Sequence, residues 1–481
     1  MNSAVVRGEV RLLLRDPAVW IVLLVLVVTL IGAASQGVLR QHAEIAVLTE
    51  MANADADRLE SATWDAIRLE EQGGNVSRFR DPRNADVVGR RLAVQHLILP
   101  PTGLAALAVG QSDLHPAWHP VSLEPRDQLL AEGELNSPRQ LAVGRFDVSF
   151  VVVFVAPLLL LGLLAGSPAR ERESGMLPLL AVQRGQLGGW LALRTGLRLL
   201  IVLLPILVVG VMVVLLPGSD AFEAAAFDTL LRLVLWAGAV TGYLTFWAAL
   251  GAWLGTLVRD TAQSVLALAS SWLLLVILLP AIANVSLELS YPQPSRIEYV
   301  NAMRAATDLA RAEGSEALQQ YLEDHPEMAG DDVDVDDFFA QRLLVQERVE
   351  EALLPLSTAF EQQRQARARQ VSWLRWASPA MLTSAGLADA AGTSESRQAD
   401  FLQQVHGFHD AWQDFFGPRV LAGRPFFEHD RIPTFEYSQE PPARLAARMA
   451  VVMLGCFGLS VAFGLLALRR ARSLPKVMGN E

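Results

Sequence analysis

Six runs of the chain contain no Asp, Glu, Lys or Arg and are each about long enough to cross a membrane. They are Ala18–Leu39, Val148–Ala165, Leu199–Leu216, Leu233–Val258, Thr261–Leu287 and Met449–Leu468. A spanning helix needs about 20 apolar residues, and in lipid every backbone group must find a partner within the protein. The pattern predicts an all-α membrane protein with transmembrane helices at 18–39, 148–165, 199–216, 233–258, 261–283 and 449–468. Only Arg259 and Asp260 separate the fourth run from the fifth, so these two form a tight helical hairpin. Pro157, Pro205 and Pro280 fall inside spans, where neighbouring helices must take up the freed backbone groups. The first run exceeds the roughly 7–15 residues of a signal-peptide core and is read as a span.

Arginine sets the orientation. The amino-terminal segment 1–17 carries Arg7, Arg11 and Arg15, the 166–198 loop carries Arg170, Arg172, Arg184 and Arg194, and the 469–481 tail carries Arg469, Arg470, Arg472 and Lys476. With six spans all three lie on one side, which the positive-inside rule makes cytoplasmic. The short loop Pro217–Thr229 on the other side has three acids and no base. The expectation is a bacterial cytoplasmic (inner) membrane protein with both termini cytoplasmic. Two extracytoplasmic insertions remain, 40–146 and 284–447. Arg40–Arg145 holds 15 acids and 11 bases, and 284–447 holds 26 acids and 14 bases, so the net charge of −11 belongs to the outer parts. An acidic pI of 5.3 argues against nucleic acid as a partner.

The insertions read as mainly helical. Gln41–Gln72 continues the first span as a polar helix, with Ile45, Leu48, Leu59 and Ile67 on one stripe and Gly73-Gly74 as its end. Pro100–Pro125 is a Pro-rich loop around an apolar insert, Leu104–Val109. Tyr299–Leu322, Phe338–Leu354, Thr358–Trp376 (after an interruption at Pro355) and Gln398–Phe416 are predicted helices.

Enzyme signatures are missing from the sequence. The single Lys, Lys476, precedes Val477, so there is no P-loop, and the chain cannot be a P-loop ATPase by itself. All eight His lie in the insertions and no span contains Asp. One Cys rules out an intrachain disulfide. Asp113, His115 and His119 are a candidate metal cluster, as are His406, His409 and Asp410 at helical spacing. Against the first, Pro116 and Pro120 mark turn residues facing solvent, and no metal is expected. Asp331–Asp337 lacks the Gly and Glu of a calcium loop and is read as a solvated acidic loop. Span four carries Gly238-x-x-x-Gly242 and Gly251-x-x-x-Gly255, a spacing that lets helices approach closely. Trp236, Tyr243 and Trp247 share one stripe of it: ordinary packing, or the lining for an apolar substrate.

After span two comes Glu171-Arg172-Glu173-Ser174-Gly175-Met176-Leu177, then an apolar stretch to Val182. A charged turn, an apolar helix and a return to the membrane make a compact docking surface. This stretch resembles the Glu-Arg-Glu-x-Gly-Thr-Leu signature of ABC-2 type transporter permeases, with Met176 in place of Thr. Leu99-Pro100-Pro101 through Gly110–Pro116, and Asn136-Ser137-Pro138 through Gly144–Phe150, are similar to signatures of the ABC-2 subfamily with two large extracytoplasmic insertions. Ser378-Pro379 and Ala391-Gly392-Thr393 extend the resemblance. The sequence is more distantly similar to the permease of nitrous-oxide reductase maturation.

The resemblance implies a six-span exporter subunit that pairs with a second permease, identical or paralogous. A separate ABC ATPase subunit would supply ATP and Mg, leaving no cofactor in this chain. Glu171, Arg172, Glu173, Gly175, Met176 and Leu177 would couple to that ATPase. Residues 1–17 would form an interfacial elbow helix, with Val6, Val10 and Leu13 on one face and Arg7, Arg11 and Arg15 on the other. Two alternatives remain. One is force transmission to an extracytoplasmic partner without transport. The other is a membrane-anchored metal chaperone or sensor built on the His clusters.

Overall fold

The computed structural model describes residues 3–73, 76–124, 146–177, 179, 187–215, 226–290, 296–312 and 338–478. The chain is an all-α membrane protein, with six helices among the described residues long and apolar enough to cross a membrane. The acidic loop Asp331–Asp337, the Asn136–Arg145 part of one signature and the end of the helix expected over Tyr299–Leu322 lie outside the described residues.

Helix α1 (Ser3–Arg15) leads into α2 (Pro17–Gln72), a single 56-residue helix. Asp16 caps α2 by accepting from the Ala18 amide, and Pro17 starts it where no amide is needed. Gly73, at φ 63°, closes it with its N–H on the Leu69 carbonyl. About 80 Å of helix therefore carries the first span far beyond any bilayer. The expected stripe holds at Ile45 and Leu48 but not at Ile67, which is 40% exposed; Ala62 and Ala66 take the contact.

Span two enters through a π-helical turn, Val151–Val155, into α3 (Ala156–Leu164). A five-residue helix, α4 (Ala169–Glu173), follows at the bundle's near end. Then come α5 (Leu187–Leu215) and α6 (Ala226–Leu257). Span five is α7 (Thr261–Trp272), a π-helical stretch (Leu273–Leu278) and α8 (Leu279–Ser290). Span six is α13 (Pro442–Met478). Span four is the hub: 67% of its apolar window is buried against 11% for span five, and spans two, three and six pack on it.

Two of the three in-span prolines, Pro157 and Pro280, have partners for the backbone groups they free. Pro157 cannot donate to the carbonyls before it, and the Tyr243 hydroxyl donates to the Val153 carbonyl at 2.9 Å, with Trp272 Nε1 on the Phe154 carbonyl at 3.2 Å. Ahead of Pro280, the Leu275 carbonyl accepts from the Ser378 hydroxyl.

The glycines of span four seat its neighbours. A Cβ at Gly255 would stand 2.6 Å from the Ser167 carbonyl oxygen and 3.0 Å from Pro168 Cδ, on the backbone that feeds α4. Gly255→Ala should cost about 1–3 kcal/mol through that overlap. Thermal unfolding in detergent should show a lowered midpoint, whereas Gly189→Ala, where the added methyl meets open space, should not.

The two insertions fold as one outer domain. Val87, Val88, Leu97 and Val121 from the first share a core with Phe339, Phe401, Trp412, Phe416 and Ile432 from the second. Sequence periodicity missed a two-stranded antiparallel sheet here, β1 (Gln95–Ile98) with β2 (Trp118–Val121), His96 opposite Pro120. The second insertion supplies α9 (Arg296–Ala312), α10 (Phe338–Leu374), α11 (Pro379–Ala391) and α12 (Glu395–Leu421). Pro355 does not interrupt α10. The lost ladder bond lies on an exposed helix, where the Ser357 and Thr358 hydroxyls donate to the Leu354 and Pro355 carbonyls. α11 packs along spans four and six: Thr383 meets Cys456 at 3.5 Å, and a Cβ at Gly386 would touch Val452. The second insertion thus returns into the span bundle and is not purely an outer element.

Candidate coupling site

The three charged residues of the Glu-Arg-Glu turn each hold a different helix. Arg172 points its guanidinium at the end of α6, donating through Nη1 to the Val258 carbonyl and through Nη2 to the Thr256 carbonyl at 3.3 Å. These carbonyls have no intrahelical donor, and a cation at a helix C-terminus also meets the favourable end of the dipole. Glu173 does the converse at the start of α7, accepting from the Thr261 amide and the Thr261 hydroxyl, both at 2.8 Å. Glu171 pairs with Arg194 on α5. Helix α4 therefore ties spans three, four and five at one point.

The contact continues to the amino terminus. The Arg194 guanidinium lies 5.1 Å over the Trp190 ring, and Trp190 Nε1 donates to Glu9 of α1 at 2.9 Å. Glu9 is buried beside Leu13, and sequence reasoning missed it, although it is the one acid on a basic amphipathic helix. Arg7, Arg11 and Arg15 lie on the exposed side of α1, and Val10 is exposed rather than on the buried face.

Glu171, Arg172 and Glu173, the charged residues that the resemblance assigns to ATPase coupling, each bond within the chain, and Glu173 does so while exposed. Gly175, at φ 68°, turns the chain where a side chain would be strained. Beyond it Met176 is 48% exposed, Leu179 is 52% exposed and Leu177 is buried against Trp190, Ala252 and Ala467. Met176 and Leu179 are the apolar groups left outward. The rest of the expected Met176–Val182 helix lies outside the described residues.

Trp236, Tyr243 and Trp247 do not line a cavity. All three are 0% exposed in the centre of the bundle. A hub helix buries every face, so an aromatic stripe on it is core.

The candidate metal clusters do not assemble as ligand sets. Asp113 turns to Arg40 at 3.5 Å. His119 sits in β2, 4% exposed, its ring 5.8 Å from that of Phe401, with neither nitrogen hydrogen-bonded. His409 binds the Glu124 carbonyl at 3.0 Å, while Asp410 is exposed. Among the described residues no three His, Cys, Asp or Glu side chains converge as metal ligands.

Burial, followed by the neighbouring His115 and His406, lowers the His119 pKa from 6.5 to about 4. The unfolded chain takes this proton near pH 6.5 and the folded chain only near 4, so stability present above pH 6.5 is lost as pH falls towards 4. The full loss is about 3 kcal/mol. Unfolding in detergent between pH 7 and 4 should show this slope, and His119→Phe should flatten it.

These features define a six-span helical membrane protein with a composite outer domain and a clamp at one end of its bundle. Residues 296–438, covering α9 to α12, match the family described as a domain of unknown function (DUF3526). No curated protein and no solved structure matches the chain.

Proposed function

We propose that the chain is the membrane permease subunit of a bacterial ABC exporter, driven by a separate ATPase subunit on its cytoplasmic side. The carrying observation is the clamp: α4 grips α5, the end of α6 and the start of α7 through three adjacent side chains. A push on so short a helix moves three spans together, as a subunit lacking its own P-loop requires. Arginine at both termini and in the 166–198 loop supports a cytoplasmic position for this end. Met176 and Leu179 offer the apolar contact for the ATPase, and α1 lies on the inner leaflet. A second permease and the lipid bilayer complete the assembly.

A second reading, transmission of force to an extracytoplasmic partner, is favoured by the joint between the outer domain and the spans. Arg232 of α6 holds Asp228 at 2.6 Å and the Asp389 carbonyl at 3.3 Å, and Arg448 of α13 holds Asp389 at 3.4 Å. Span movement then reaches the outer domain directly.

The test is Met176→Asp with Leu179→Asp in chain purified from its native membrane. The permease reading expects ATP hydrolysis in the wild-type preparation and its loss, with the ATPase subunit, from the variant. Equal hydrolysis and equal subunit recovery would refute the docking face.

A further inference from the structure

From Gln362 to Ala377, α10 and the turn after it contain Arg364, Arg367, Arg369 and Arg375 and no acid, inside an insertion whose net charge is −12. Two tryptophans close the same stretch: Trp373 is 75% exposed, and Trp376 is 54% exposed with one edge of its ring against Gly455 of span six. Arg364 pairs with Glu361 at 2.9 Å and Arg375 lies 3.9 Å from Glu395, so the features that a solvated domain does not account for are Arg369 and the exposed Trp373 ring.

The height of this stretch follows from its contacts. Ser378 bonds the Leu275 carbonyl, fourteen residues along span five from Thr261, or about 21 Å from the clamp end at 1.5 Å per residue. Thr383, further along α11, meets Cys456, fifteen residues along span six from Ala471, which packs beside Leu177 at the clamp end; this puts Thr383 about 22 Å from that end. With about 30 Å of hydrocarbon counted from Thr261, the first residue of span five, Ser378 lies about 9 Å below the far boundary. α10 climbs from there to Phe339, against Phe79 near the tip of α2. Its course is therefore along the bundle axis. On that axis Trp373 comes about 7 Å above Ser378, at the hydrocarbon boundary, and Arg369 about 13 Å above it, among the headgroups.

We propose that the stretch 369–373 is a lipid-binding surface on the far leaflet, Trp373 lying at the boundary and Arg369 binding headgroup phosphate, with preference for anionic phospholipid. Indole rings favour this depth because they pair an apolar body with an N–H donor. A guanidinium fork matches phosphate oxygens two at a time. Ser378 and α11, packed on three spans, hold the surface at fixed depth. The outer domain is thus seated on the leaflet as well as on the spans.

The full chain in nanodiscs tests this in two ways. Trp373 emission, taken as the wild-type signal minus that of Trp373→Phe, should be quenched by phosphatidylcholine brominated near the headgroup more than by lipid brominated near the chain end. No quenching by either would mean that water or a second copy of the chain covers this face, and would overturn the proposal. In native mass spectrometry with added phosphatidylglycerol, Arg369→Gln should retain about fivefold less of it than wild type, with Arg369→Lys in between. Retention unchanged by Arg369→Gln would overturn the phosphate assignment, since that substitution at an exposed position leaves the fold intact.

Discussion

Arg172→Ala should detach α4 from span four and open the hairpin between spans four and five. Two charge-assisted bonds are lost, each worth about 1.5–3 kcal/mol, and the Thr256 and Val258 carbonyls are left at a helix end without their cation. Amide exchange at 257–263 should rise by about tenfold or more, since each 1.4 kcal/mol is a factor of ten. Arg172→Lys keeps the charge but not the two-pronged donor, so its effect should be smaller. Glu173→Gln should act on the same amides from the other side, because the Thr261 amide bonds Glu173. Exchange unchanged in Arg172→Ala would show that α4 is a solvated cap and not a clamp.

Arg90→Ala should have the largest effect on the outer domain. The Arg90 side chain is 2% exposed and binds Asp86 at 2.7 Å, the Leu123 carbonyl at 2.8 Å, Gln346 at 3.1 Å and Glu124 at 3.4 Å. Asp86 is equally buried. Gln346 belongs to the second insertion, so this one cation joins both. Removing it strands a buried carboxylate, at about 3–5 kcal/mol. Limited proteolysis should become faster in both insertions at once, around 85–99 and 395–421. Asp86→Leu combined with Arg90→Met removes both charges and should recover much of the loss. Faster cleavage confined to the first insertion would contradict the single outer domain.

The membrane part was legible because lipid imposes a rule on composition: a run without charges that is long enough must span. The polar length of α2 was legible for a similar reason, since Ile45 and Leu48 keep helical spacing and Gly73 ends it. What failed depended on partners distant in sequence. Trp236, Tyr243 and Trp247 have the same spacing whether they line a cavity or fill a hub; only the number of helices around span four decides. β1 and β2 are four residues each, too short for alternation to show, and Pro120 argues against a strand. Pro355 looked like a break because the sequence does not say that its helix face is open. The Glu-Arg-Glu turn was found as a motif, but its bonds were assigned outward. The acceptors on α6 and one of the two donors on α7 are backbone groups, which carry no sequence signal.

The central claim is that the surface beside the clamp receives a nucleotide-hydrolysing subunit. A photo-crosslinking amino acid at position 176, in the full chain in its native membrane, tests it most directly, because Met176 is outward and the clamp bonds do not involve it. The account predicts an adduct with a second protein that carries a Gly-x-x-x-x-Gly-Lys-Ser/Thr loop and is labelled by a photoreactive ATP analogue. Adducts at 176 that contain only lipid, or only another copy of this chain, would contradict it.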